Sequence, residues 1–277
     1  MARGHSGVIY ILGGRGRLGQ ALSALYEPTE FVCLARADYE AWPTAGADAV
    51  RSYFSQVKSA PSVIYVCSGL LDPRLSDEAL LAVNYYLPRT VIEGVEGLGT
   101  KVVTFGTAME HGLTDNRYVK SKVRLGEFVE QANAAGARAT HVRIHTQYGK
   151  GEPSSFMFLG QILTALRSDT AFAMTLGKQL REYHHVEDDA RAIKALVSSN
   201  VVGPVDLAHG QPVTLRSLAQ AVFESQGKSH LLQVGAVPEP AQDNFDRVFS
   251  VPESLKTHAF RDTLPAVVEY MKSRMNG

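Results

Sequence analysis

A phenol and an amine stand four residues apart in Tyr118-Val-Lys-Ser-Lys122, a spacing that puts both side chains on one face of a helix. A tyrosine hydroxyl, with an ordinary pKa near 10, is too weakly acidic to exchange protons freely at neutral pH. A neighbouring ammonium favours tyrosinate and moves that value towards the working range. Thr107 follows the apolar run Val102–Phe105 and offers a hydroxyl able to hold a developing alkoxide. Earlier in the chain, Gly13-x-x-Gly16-x-x-Gly19 comes straight after the apolar run Val8–Leu12. Gly13 permits a tight turn, Gly16 lets backbone N–H groups approach a pyrophosphate, and Gly19 lets the next helix lie close to its strand. Either signal alone is weak. In this order they point to an oxidoreductase or epimerase that uses a nicotinamide dinucleotide, whose oxidised ring adds further positive charge beside the phenol.

These groups need strands to carry them. Val8–Leu12, Phe31–Ala35, Val63–Val66, Val102–Phe105 and Thr140–Ile144 are continuously apolar, as parallel strands covered on both faces are. Leu18, Leu22 and Leu25 mark one helix face. Ser76-Asp77-Glu78 opens a long helix through the nineties, and another runs from about 117 to 136. The alternation predicts an α/β fold, a doubly wound parallel sheet (Rossmann) with a smaller C-terminal substrate lobe. The dinucleotide-binding domain is expected over 1–149, completed by 186–209, and the substrate lobe over 150–185 and 210–277. After Gly149 the chain has helices near Phe158–Leu166, at Val186–Ser198 and from a Thr214 cap to Gly227, a short strand at Val205–Ala208 and a last helix ending near Met275.

In 277 residues, 28 basic and 28 acidic side chains cancel, so charge gives no reason to expect nucleic acid or an anionic membrane as partner. Residues 1–7 lack the apolar core of a signal peptide and no stretch reaches the length of a membrane span, which leads to the expectation of a cytoplasmic protein. Cys33 and Cys67 read as reduced thiols in buried strands, and no metal site is expected. The second strand ends without a carboxylate for a ribose 2′-hydroxyl. Arg36 stands there instead and Arg17 lies in the turn, so NADP(H) is favoured, with Asp38 keeping NAD(H) possible.

These residues resemble the extended short-chain dehydrogenase/reductase family, in particular its nucleotide-sugar epimerases, dehydratases and reductases. Beyond the turn and the Tyr/Lys pair, Val63–Gly69 is similar to the family's fourth strand, and Asn84 stands at its structural asparagine. Arg143–Gly149 resembles its cofactor- and sugar-reaching turn, Gly177–Asp189 its diphosphate-binding segment, and Gly210–Leu215 the start of the helix that follows. The resemblance implies Thr107, Tyr118 and Lys122 as catalytic residues. It implies cofactor contacts from Gly13, Gly16, Arg17, Leu18, Gly19, Arg36, Cys67, Ser68, Gly69, Lys122 and Ile144. Substrate contacts are implied for Met109, Glu110, His111, Thr146 and Arg181, the last as a diphosphate clamp whose alternative is an ion pair with Glu187–Asp189. Those three acidic residues read as a solvated helix start, and His184 and His185 as packing or ribose contacts without metal spacing.

Departures from the pattern narrow the reaction. Family dehydratases carry Asp-Glu after the hydroxyl residue, whereas Ala108-Met109 follows Thr107 here; Glu110 is one place further on, and His111 is the local candidate for an inverting group. Gly16–Leu22 and Leu34–Arg36 resemble the dTDP-4-dehydrorhamnose reductase branch, and Gly106–Gly112 resembles the CDP-hexose 4-ketoreductases. The expected activity is reduction of the C4 keto group of a nucleotide-linked 4-keto-6-deoxyhexose. The alternatives are an NAD-dependent C4 epimerase and a non-catalytic NADP(H)-sensing protein. The resemblance also implies a homodimer packed through the helices near Asp77–Gly94 and Arg117–Ala135, which would cover Leu80, Leu81 and Val91.

Overall fold

Branched and aromatic side chains fill the strands of the main sheet, and in the computed structural model the central strands are buried on both faces while the edge strands stay partly exposed. The structure describes residues 7–72 and 74–275; the N-terminal segment read above for a signal peptide lies, up to Ser6, outside the described residues. Strands β1 (Val8–Leu12), β2 (Phe31–Cys33), β3 (Pro61–Val66), β4 (Lys101–Thr107) and β5 (Ala139–Ile144) are followed by four short ones. These are β6 (Thr146–Tyr148), β7 (Phe172–Met174), β8 (Leu180–Arg181) and β9 (Tyr183–His185); β10 (Gly203–Asp206), β11 (Val213–Thr214) and β12 (Leu232–Val234) complete the set. The helices are α1 (Arg17–Ser23), α2 (Arg36–Tyr39), α3 (Trp42–Ala45), α4 (Ala47–Ser55), α5 (Asp77–Leu81), α6 (Leu87–Gly94), α7 (Arg117–Ala134), α8 (Phe158–Ser168), α9 (Val186–Ser198), α10 (Leu215–Ser225) and α11 (Thr263–Met275).

The main sheet runs β10-β5-β4-β3-β1-β2 and every pairing in it is parallel. The chain leaves β1 for β2 on one side and returns to β3 on the other. That reversal makes a crevice outside the carboxyl ends of β1 and β3, where open α/β sheets hold ligands. The chain divides into two compact units. The first runs to Ile144 and takes in Ala190–Leu207; the second comprises His145–Asp189 and the chain from Ala208. The first has a core of Tyr10, Leu12, Ile64, Val66, Val91 and Leu125, with Tyr39, Trp42 and Phe54 from the α2–α4 stretch. The second has its own, of Ile162, Leu166, Phe172, Val222, Phe223 and Met271, and Thr214 caps α10 by accepting from the Ser217 N–H at 3.0 Å.

Several sequence expectations need correction. Leu80 and Val91 are 1% and 0% exposed inside the protein's own core, so they require no partner to cover them. Cys33 is exposed and Cys67 half-buried, because β2 and β3 stop at or before them at the open edge of the crevice. The strand expected to Ala35 ends at Cys33, since Asp38 accepts from the Ala35 N–H at 2.8 Å and starts α2 there. The strand expected at Val205–Ala208 lies at Gly203–Asp206, in register with β5. The long helix from Ser76 is interrupted by a π-helical turn, Ala82–Tyr86, between α5 and α6. Among the described residues no helix is long and apolar enough to cross a membrane.

Candidate active site

The turn after β1 is shaped by what cannot fit there. Gly13 has φ of +79° and a Cβ on it would lie 2.5 Å from the Ser68 nitrogen, so only glycine permits β1 and β3 to diverge so closely. A Cβ on Gly19 would meet the Gly13 carbonyl at 2.4 Å, which ties α1 against the turn. Gly16 is different: apart from the Gly13 oxygen at 3.3 Å, its Cβ would enter open space. Gly16 also caps α1 without any side-chain acceptor. The backbone is therefore bare where a pyrophosphate would approach, and the residues present fit a dinucleotide. Leu18 is buried under the turn, Arg17 is half-exposed, and Cys67 and Ser68 continue β3 along its rim, with the Ser68 hydroxyl donating to Tyr39 Oη at 2.9 Å. Arg36 opens α2 with its side chain 82% exposed, 3.4 Å from Glu40, so it reads as a solvated cation beside the crevice.

Lys122 brings its amine to the same mouth. It is 6% exposed, and a Cβ added at Gly69 would lie 3.8 Å from Lys122 Nζ and 3.6 Å from Asn84 Oδ1. The Asn84 side chain fixes this arrangement: Oδ1 accepts from the Leu70 N–H at 2.9 Å, while Nδ2 donates to the Leu70 carbonyl at 2.9 Å and to Ser121 Oγ at 3.1 Å. One buried amide thus joins the loop after β3 to the helical turn between Tyr118 and Lys122. Asn84 sits in the π-helical turn, a local widening frequently found at functional sites. Asn116 caps α7, accepting from the Val119 N–H at 2.8 Å, so Tyr118 falls in the first turn and Lys122 one turn later. Burial, followed by the Glu110 carboxylate, raises the Tyr118 phenol above its ordinary value, where the sequence favoured a shift towards neutrality. Burial lowers Lys122 to about 8, with Glu110 working in the opposite direction.

Thr107 ends β4 opposite Ile144 of β5. Its hydroxyl accepts from the Met109 N–H at 3.3 Å, and its own N–H donates to Glu110 Oε1 at 2.7 Å. The Glu110 side chain is 1% exposed. It also accepts from His141 Nε2 at 3.1 Å and from Arg143 Nε at 3.0 Å. Burial would raise the Glu110 carboxyl, but His141, the Thr107 N–H and Arg143 together hold it below its ordinary value. Ala108 is buried and Met109 half-buried, while His111 Nε2 lies 2.7 Å from Asp206 of β10. The structure thus joins Thr107 to Glu110 and turns the Glu110 oxygens inward, and the Glu110 charge acts on both Tyr118 and Lys122. Sequence reading missed His141, Asp206 and Tyr39; the signal for the first was an imidazole inside the apolar strand Ala139–Ile144, where a buried ring needs a partner.

Thr146 and Arg181 belong to the second unit. The Thr146 N–H donates to the Glu182 carbonyl at 3.2 Å, and Arg181 pairs with Asp243 at 2.5 Å rather than with Glu187–Asp189. The solvated helix start expected there is largely buried, with Asp188 1% and Asp189 0% exposed. Arg261 bonds to Asp188, and His184 and Gln147 bond to Asp189.

A parallel sheet with a bare glycine turn at its switch point and a Tyr/Lys pair on α7 defines a Rossmann-type dinucleotide enzyme. The profile of the NAD dependent epimerase/dehydratase family matches residues 9–207, and the chain belongs to that family of NAD(P)-dependent enzymes. Among solved structures, it is similar to a dTDP-4-dehydrorhamnose reductase from Clostridium acetobutylicum (17% identity, TM-score 0.71, 96% of this chain and 98% of that one). It is also similar to a UDP-N-acetylglucosamine 4-epimerase from Methanobrevibacter ruminantium in complex with UDP-N-acetylmuramic acid (12%, 0.76, 98% and 97%). A third is a GDP-L-fucose synthetase from Naegleria fowleri bound to NADP (17%, 0.73, 98% and 93%). At these identities the likeness is one of fold. No curated protein sequence matches the chain.

Proposed function

We propose that the protein reduces the C4 keto group of a nucleotide-linked 4-keto-6-deoxyhexose, with NADPH as the reductant. The observation that carries this reading is the state of the loop after Thr107. A dehydratase needs an acid and a base there, and the positions hold Ala108 and Met109, while both Glu110 oxygens are committed to Thr107, His141 and Arg143. What remains suits carbonyl reduction. Thr107 orients the carbonyl oxygen, and Tyr118, held protonated by burial, gives its proton to that oxygen. The Lys122 ammonium holds the tyrosinate left behind. When bound, the cofactor supplies the hydride.

Solved relatives of the fold carry nucleotide sugars in their names or as ligands, UDP-glucose with NAD in one case. This supports a nucleotide sugar here, with Met109, His111, Thr146 and Arg181 as its contacts and with Arg17 and Arg36 favouring the 2′-phosphate of NADPH. A homodimer through α5–α7 is supported by Tyr86, 37% exposed with the Arg124 guanidinium 5.8 Å from its ring. Light scattering is then expected to give twice 30.1 kDa, and a monomer would reject it.

The test of the activity is NADPH oxidation with dTDP-, UDP-, GDP- and CDP-linked 4-keto-6-deoxyhexoses. Turnover is expected with one of them, and Tyr118→Phe is expected to lose on the order of 10²–10⁴-fold in kcat with cofactor binding intact. Interconversion of C4 epimers by protein that keeps its own NAD, without NADPH consumption, would replace this reading with the epimerase. Tight NADP(H) binding with no turnover of any sugar would leave a sensor.

A further inference from the structure

Four side chains in the second unit converge in a way the activity above does not use. Glu182, the residue between β8 and β9, lies between two histidines brought to it by different segments. Its Oε2 is 3.0 Å from Nε2 of His184 in β9 and 3.6 Å from Nδ1 of His209, after β10. His145 follows β5, with Nε2 4.0 Å from the same oxygen. Donor atoms of Glu182, His184 and His209 all lie within 4.8 Å of one another. Donors around a tetrahedral ion with bonds of about 2.0–2.2 Å sit about 3.3–3.6 Å apart, so these spacings need only small side-chain rotations to close on a metal.

The setting favours a site over a packed polar core. The His145 side chain is 6% exposed and its Nε2 has no hydrogen-bond partner, an uncommon state for a buried imidazole. It faces the carboxylate that the other two rings share. His184 is oriented by Asp189, whose Oδ1 accepts from Nδ1–H at 2.7 Å, and Asp189 is itself held by Gln147 at 2.6 Å. A carboxylate behind a ligating histidine is the usual outer support of a metal site. Glu182 is steadied by the His209 and Gly210 N–H groups at 2.8 and 3.1 Å. The rings of Phe249 and Phe260 pack against His145, His184 and His209 and hold the imidazoles in place. One competing contact is present, the Gln211 N–H donating to His209 Nδ1 at 3.1 Å; Gln211 is exposed, so that amide can turn to solvent.

We propose that Glu182, His184 and His209, with His145 as fourth donor, form a binding site for one divalent transition-metal ion of the zinc class. Imidazole nitrogens with a single carboxylate select zinc, cobalt, nickel or iron over magnesium and calcium. The dication would balance the buried carboxylates of Glu182 and Asp189, giving the second unit a structural metal.

The test uses the full chain without an affinity tag. Titration with Co²⁺ is expected to give visible bands of four-coordinate geometry that saturate at one equivalent and are bleached by Zn²⁺. Asp189→Asn is expected to weaken binding about 10–100-fold, and His145→Gln combined with His209→Gln to abolish the bands. Bands that persist in the double variant would overturn the proposal. So would a six-coordinate spectrum or none in the unaltered protein, which decides the matter without any variant having to fold.

Discussion

Lys122 carries an ammonium into a pocket that burial makes hostile to charge, and its pKa of about 8 falls within the range an enzyme meets. If that charge is what holds tyrosinate, kcat/KM is lost as pH rises through about 8, tenfold per unit, because the amine deprotonates while Tyr118 keeps its proton to higher pH. Lys122→Arg, charged at every accessible pH, should lower activity at pH 7 yet flatten the alkaline limb. A pH–rate profile of both proteins checks this, and an unchanged alkaline limb in the variant would assign it to another group. Glu110 has the opposite sign of dependence. Its folded pKa is below the unfolded one, so its stabilisation is complete above the unfolded pKa and lost as pH falls through the folded value. Glu110→Gln leaves His141 and Arg143 facing a neutral amide and should destabilise the protein by about 3 kcal/mol at pH 7. The gap should narrow in acid, as urea unfolding at pH 7 and pH 4 would show.

At the scale of elements, the π-helical turn is what places Asn84 between the β3 loop and α7. Asn84→Leu keeps the branching of the side chain but removes, at a fully buried position, the amide that pairs the part-buried Leu70 N–H and carbonyl. A loss of about 3 kcal/mol in urea unfolding is expected, together with a lower kcat from the displaced Lys122 turn. A stability equal to that of the unaltered protein would mean that the amide is dispensable as a brace. Much of this layer was legible in the sequence. Apolar runs marked five strands of the main sheet, and Ser76 and Thr214 began helices where short polar side chains can cap them. What escaped notice depends on contacts distant in sequence. The α2–α4 stretch is held by aromatic packing of Tyr39, Trp42, Tyr53 and Phe54, and its residues alternate too loosely to show a period. Glu110 looks like a loop carboxylate until His141, 31 residues away, turns it inward. His184 and His209 likewise share no local spacing and meet only because β9 and the segment after β10 come together.

For the whole molecule, the consequence of two separate buried clusters is that stability need not be uniform along the chain. The groups fitted to a dinucleotide (Gly13, Gly16, Ser68, Gly69, Lys122) all belong to the first unit. A ligand that binds native protein alone stabilises it by about 2.7 kcal/mol at a hundred times its Kd. That stabilisation should reach only amides whose opening releases the ligand. Hydrogen exchange with saturating NADP⁺ is therefore expected to slow about a hundredfold in peptides from β1 through α1, from β3 through Leu70 and from the first turns of α7. Peptides from α8 and α10, which line the second core, should exchange as before. Zn²⁺ offers the complementary readout, expected to protect peptides that cover Glu182–His184 and His209 and to leave the glycine turn unchanged. Dinucleotide protection centred on α8 and α10, with the turn after β1 unaffected, would remove the nucleotide from the crevice to which the glycines and Lys122 assign it.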